Sequence, residues 1–125
     1  MMFTRQFKAL RLLSVAALPI ALLAAAPAQA EVRQVDGHLW TKSTAEQKQA
    51  YLVGVSNVLA VNHALQVKKG TADDQAPLSQ YLRAVDAESM ATIQQRLDSW
   101  YASNPSRLDT PVLGVFWMGV VKAGR

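Results

Sequence analysis

QAYLVGVSNVLAVNHALQV, Gln49 to Val67, runs without one charged side chain between Lys48 and the Lys68-Lys69 pair. Whether this stretch is a membrane span, a core helix or a partner-binding face decides the fold. Its apolar residues Tyr51, Leu52, Val55, Val58, Leu59 and Leu65 recur at three- and four-residue steps, which is helical spacing. Ser43 has Glu46 three residues on, the spacing of a capping box. Gly70, after two lysines that suit a helix dipole, can end the helix. A helix from Ala45 to about Val67 is predicted. Asn57, Asn62, His63 and Gln66 are too many polar groups for a lipid environment. The apolar residues cover about half the helix circumference. The rest is small and neutral: Gln49, Ser56 and Asn57 among Ala50, Ala60, Ala64 and Val53. This is therefore predicted to be the central helix, packed on more than one side, with Gly54 and the alanines letting neighbours close.

Two polar residues interrupt the pattern. Asn62 falls inside the apolar face and His63 at its edge. An unpaired buried amide costs roughly 1–3 kcal/mol, so Asn62 is expected to have partners. Both residues either bond to a loop carbonyl or a tyrosine hydroxyl and fix the packing, or line a small polar pocket. They are candidate contacts for a ligand or partner.

Downstream, "TADDQAP" (Thr71 to Pro77) reads as a polar loop. Leu78, Tyr81, Leu82 and Val85 make a short helix opened by Pro77. "VDAES" breaks it, with Asp86 as the expected cap. Met90, Ile93, Leu97, Trp100 and Tyr101 form an amphipathic stripe, with Gln95, Asp98 and Ser99 facing away. Asn104-Pro105 is a turn signal. "VLGVFWMGVV" (Val112 to Val121) is apolar all round. A buried strand also fits it, but Pro111 before it and Lys122 and Gly124 after it favour a helix. Gly114 and Gly119 each cost about 1 kcal/mol there, a cost that close approach of a neighbouring helix would explain. "EVRQVDGHLW" (Glu31 to Trp40) reads as a coil or weak strand leading in. The fold class is all-α: a compact bundle of three to four helices.

Upstream lies a different kind of segment. "MMFTRQFKALRLL" carries Arg5, Lys8 and Arg11 and no acid. An apolar run from Leu12 to Ala25 follows, then "APAQA" with Ala28 and Ala30 in an A-x-A arrangement. This order is that of a secretory signal peptide, so cleavage is expected after Ala30, exposing Glu31. Residues 1–30 are thus the signal and 31–125 one small domain. The expected location is the periplasm, with no permanent membrane span once the signal is gone. Without those three basic residues the domain carries ten basic residues against nine acidic ones. So balanced a charge gives no footprint for nucleic acid.

The chemistry of most enzymes is missing. The chain has no cysteine and two histidines, His38 and His63, with no ligand spacing between them. No metal site, cofactor or catalytic set is expected. Asp36 and His38 sit in "DGH", which reads as a turn. No G-x-S-x-G elbow marks Ser56 as a nucleophile. Of the three tryptophans, Trp40 lies outside the predicted helices. It is expected to be the most exposed of them, anchoring a partner or covering the helix end. Arg96, four residues before Trp100, is placed to stack on that ring.

"YLVGV" (Tyr51, Gly54, Val55), Pro77 before a second segment, "ATIQQRLDSWYASNP" with Tyr101 and Pro105, and the last apolar helix after Pro111 give a recognisable order. That order resembles the small exported all-helical periplasmic proteins of the type VI secretion amidase-immunity kind. The chain lacks the cysteines usual in that family. The resemblance implies a non-catalytic module that binds and blocks a toxic hydrolase. The expected partner is therefore a protein or a second copy, meeting either the neutral face of the long helix or the last apolar helix. A small ligand held near Asn62 and His63 is the alternative.

Overall fold

A computed structural model describes residues 33–124; the signal segment with Ala28, Ala30 and Glu31 lies outside the described residues. Five α-helices follow one another: α1 (Gly37–Lys42), α2 (Ala45–Lys69), α3 (Pro77–Ala87), α4 (Met90–Ser103) and α5 (Val112–Phe116). A 3-10 turn at Pro105–Arg107 precedes α5, and a π-helical turn at Trp117–Val121 continues it. The fold is all-helical, with one helix more than the sequence predicts. Among the described residues there is no strand, only an isolated antiparallel bridge between Asp36 and Pro111.

The additional helix is α1, in the segment read as coil. Asp36 caps it by accepting the N–H of Leu39 at 3.1 Å. The cap of α2 is shifted by one residue from the predicted Ser43. Thr44 and Gln47 form the capping box, each side chain bonding the other's backbone N–H. The far end of α2 is as read: Gly70 is left-handed at φ 70°, with Lys68 and Lys69 in the last turn. Pro77 opens α3 as predicted, but α3 runs through Asp86. Ser89 caps α4, bonding the N–H of Thr92.

The centre of the bundle is α4, not α2. Helix α4 packs against α1, α2, α5 and the π turn, whereas α2 packs mainly on α3 and α4, with Trp40 of α1 against its first turns. Ile93, Leu97 and Tyr101, at four-residue steps along α4, are fully buried. They meet Val112, Val115, Phe116, Val120 and Val121 from the last helix, with Trp40 and Leu52 closing the sides. The expectation that Val112–Val121 is helical holds. The close approach expected at its glycines does not: a Cβ on Gly119 would meet nothing within 4 Å, and one on Gly114 would touch only Thr110 Cγ2 at 3.8 Å.

A real close approach occurs at Gly37, where a Cβ would collide with the Tyr101 ring and lie 2.9 Å from the Leu108 carbonyl oxygen. The Gly37 N–H donates to that same carbonyl at 2.8 Å, and Val112 N–H donates to the Val35 carbonyl at 2.8 Å. Tyr101 and Tyr81 complete the stitching. Their hydroxyls donate to the carbonyls of Thr110 (2.7 Å) and Leu113 (2.6 Å). Burial, with the nearby Asp36 and Tyr51 adding to it, pushes the Tyr101 hydroxyl up to about 12. These bonds hold the chain entering α5 against α1, α3 and α4, so the last helix has a fixed seat.

Candidate functional site

Trp40 is not an exposed anchor. It is 1% exposed, in α1, and its indole N–H donates to Asp98 Oδ1 at 2.8 Å. Lys48 Nζ reaches the same oxygen at 2.9 Å and lies 5.5 Å from the Trp40 ring centre. Asp98, read as facing away, is a half-buried acceptor that ties α1, α2 and α4 together. Trp40 also packs edge-on against Tyr51 at 6.0 Å, so it covers the first turns of α2. The cation over Trp100 is Arg107 at 5.0 Å, not Arg96, which pairs with Glu88 at 2.7 Å. In each case sequence reasoning lacked the distant partner.

Asn62 and His63 come to different places. Asn62 is half-buried and His63 is exposed, because both lie beyond Leu59, the last buried residue of α2. Water therefore reaches the Asn62 amide, and the protein partner expected for it is not required. Neither residue lines any of the four concavities described among residues 33–124. The pocket that is the alternative reading of these two residues is not among those surfaces.

One concavity has buried polar atoms behind its lining. It holds about 140 Å³ beside Gln80, Arg83, Glu88, Val120 and Val121. Gln80 Oε1 and Glu88 Oε2 are buried there without a hydrogen-bond partner among the described residues. A space of this size is below that of drug-sized ligands, and those two acceptor atoms are themselves closed to solvent.

A second cluster joins residues that the sequence keeps apart. Asp36, His38 and Asp109 bring ligand-type atoms within 4.8 Å of one another. His38 Nε2 is 3.0 Å from Asp109 Oδ1, across 71 residues of sequence. The bridge between Asp36 and Pro111, with the Gly37–Leu108 and Val112–Val35 backbone bonds beside it, makes them neighbours. Asp36 Oδ1 already serves the α1 cap, and Asp109 stands open to solvent. Read on geometry, the trio is a solvent-exposed hydrogen-bonded pair beside a helix cap.

The most unusual surface is α2 itself. Leu52 and Leu59 are its two buried residues, although it has 25 residues in all. Val53, Val58, Val61, Leu65 and Val67 are exposed, Val58 by 68% and Val61 by 60%. At 100° per residue, Leu52 and Leu59 mark the packed side and Ala50, Asn57, Val61 and Ala64 the opposite one. Gly54 lies there too, where a Cβ would meet nothing within 4 Å. The helix is therefore packed along one side, not on several. By length and composition alone it could cross a membrane. However, Asn57 lies on its exposed face, and Ser56, Asn62, His63 and Gln66 crowd its other side, five polar groups that burial in lipid would penalise. A contiguous apolar surface on a folded chain marks an interaction site.

No known protein family, curated protein or solved structure matches this chain. The likeness to amidase-immunity proteins thus rests on the quoted sequence features alone.

Proposed function

We propose that this chain is a non-catalytic binding module that works in the periplasm through protein–protein contact, with the outward face of α2 as its interface. The observation that carries this is the row of exposed valines and Leu65 on a helix with no charge between Gln49 and Val67. Charged side chains are depleted at the cores of protein interfaces, and here they are absent over about five helical turns. The last apolar helix, the other candidate interface, puts Val112, Val115, Phe116, Val120 and Val121 in the core and leaves Met118 as its exposed large apolar side chain. Export rests on the order of features in residues 1–30. Inhibition of a toxic hydrolase is the narrower form of this reading, and the sequence resemblance alone supports it.

A pull-down comparing the wild-type chain with a Val58→Asp/Val61→Asp variant tests the reading. Both side chains stand in solvent, so the variant keeps its fold by circular dichroism. A protein or second copy retained by the wild type and lost by the variant is the expected result. Identical binding by the two chains removes α2 as the interface. The alternative of a small ligand moves from Asn62 and His63 to the concavity lined by Gln80, Arg83 and Glu88. Titration with small amines, followed by the chemical shifts of those residues, checks it.

A further inference from the structure

We infer that the partner of the α2 face is a second copy of this chain, laid antiparallel across it with Asn57 on the two-fold axis. This rests on the reading of α2 as a protein interface and names its occupant.

The argument begins with spacing. Glu46, Ala50, Val53, Asn57, Val61, Ala64 and Lys68 are all exposed. Their steps are four, three, four, four, three and four residues. Turned by about 100° per residue, they form one seam opposite Leu52 and Leu59. The steps read the same in both directions from Asn57. An isologous interface demands this property, since residue i must meet j while j meets i. Antiparallel pairing about Asn57 sets Val53 against Val61 and Ala50 against Ala64. Each repeat of four, three and four spans 11 residues, a period close enough to that of a straight helix for the seam to stay in line over its whole length, about 33 Å.

Charge chooses the direction. The seam starts at Glu46 and ends at Lys68, and nothing charged lies on it between them. Antiparallel pairing puts Glu46 of each copy against Lys68 of the other, twice per dimer. Parallel pairing would put acid on acid at one end and Lys68-Lys69 on Lys68-Lys69 at the other, which is penalised. The antiparallel order also sets opposite helix dipole ends side by side.

The remaining seam residues suit close contact. Gly54 falls opposite Ala60 of the partner, both small and both exposed. A glycine in a helix interior costs about 1 kcal/mol relative to alanine, and no neighbour among the described residues accounts for it here. Asn57 meets its own copy at the axis. A primary amide both donates and accepts, so two of them pair with each other, and this one polar position fixes the register.

The test is sedimentation equilibrium of the purified chain at two salt concentrations, with three charge variants: Glu46→Lys, Lys68→Glu and the two combined. The wild type is expected to double its mass as concentration rises. Each single reversal turns two attractions into two repulsions and weakens the dimer by about tenfold or more. The combined variant restores the opposite-charge pairs and recovers dimerisation, which only the antiparallel register allows. High salt narrows the differences between variants. A wild type that stays monomeric throughout overturns the inference, as does a combined variant no better than the singles. A monomer that still captures another protein through Val58 and Val61 overturns the dimer and keeps the binding reading. A monomer that floats with lipid vesicles, or whose pull-down is unchanged by Val58→Asp/Val61→Asp, overturns both. Circular dichroism of each variant separates lost pairing from lost folding.

Discussion

Two stretches of this chain are apolar and uncharged, and they meet opposite fates. Val112–Val121 puts Val112, Val115, Phe116, Val120 and Val121 into the core. Gln49–Val67 is nearly twice as long and buries Leu52 and Leu59. Apolar content therefore does not set burial. What separates the two is the backbone that holds them. The last helix is seated by Tyr101, Tyr81, Gly37 and Val35, which all bond to the segment Leu108–Leu113. Helix α2 is anchored near its start by Lys48 and Gln49, which reach Asp98 and Gln94 on α4. Beyond Leu59 no residue of α2 is buried.

The sharpest way to break the comparison is Phe116→Ala. Phe116 is fully buried and lies 5.3 Å from the Tyr81 ring. Its truncation should cost about 3–5 kcal/mol in urea unfolding. A loss below 1 kcal/mol would show that the last helix is not the core. Gly37→Ala comes next, at about 1–3 kcal/mol, because the added methyl collides with Tyr101 and with the Leu108 backbone. Equal stability of this variant would mean that the seat of the last helix is soft.

Much of the fold was legible in the sequence because it is local. The three longer helices follow from periodicity, and Pro77 and Gly70 mark their borders as read. Helix α1 was missed because it has six residues, too few for a periodic pattern, and its one signal was Asp36 before Gly37. Helix α2 was misplaced at the centre for a different reason. Wheel positions tell which residues share a side, but not how many neighbours come. Trp40 was misjudged with it, since its partners Asp98 and Lys48 come from two other helices. The candidate surface was half legible. The neutral face of α2 was visible as a face, whereas its exposure depends on which helices pack elsewhere.

Tyr101 offers a smaller and pH-dependent test of the seat. Its hydroxyl is raised from 10.0 to about 12 in the folded chain. Above pH 10 the unfolded chain releases this proton and the folded chain keeps it. Stability should therefore fall as pH rises from about 10 to 12. Tyr101→Phe should flatten that fall. At neutral pH it should cost roughly 1–2 kcal/mol, since the Thr110 carbonyl loses its donor. A wild-type unfolding midpoint that does not change between pH 10 and 12 contradicts the buried hydroxyl.

The smallest expected effect is the most informative, because it compares adjacent residues on one helix. Leu59 is 5% exposed and Val58 is 68% exposed. Leu59→Ala should cost about 2–3 kcal/mol, towards the low end for a leucine because it stands apart from the main cluster. Val58→Ala should stay within about 0.5 kcal/mol in a dilute monomer, since the methyl groups it removes already face water. Alanine also favours the helix over valine by a few tenths of a kcal/mol, so a slight gain is expected. Repeating both measurements at high protein concentration adds the decisive term. If α2 meets a second copy, the dimer stabilises the folded state by mass action. Val58 flanks the proposed seam, so its truncation then becomes measurably costly at high concentration while the Leu59 cost hardly changes. A Val58 effect that ignores protein concentration leaves α2 one-sided in solution, and its apolar face then has to be matched to a different partner.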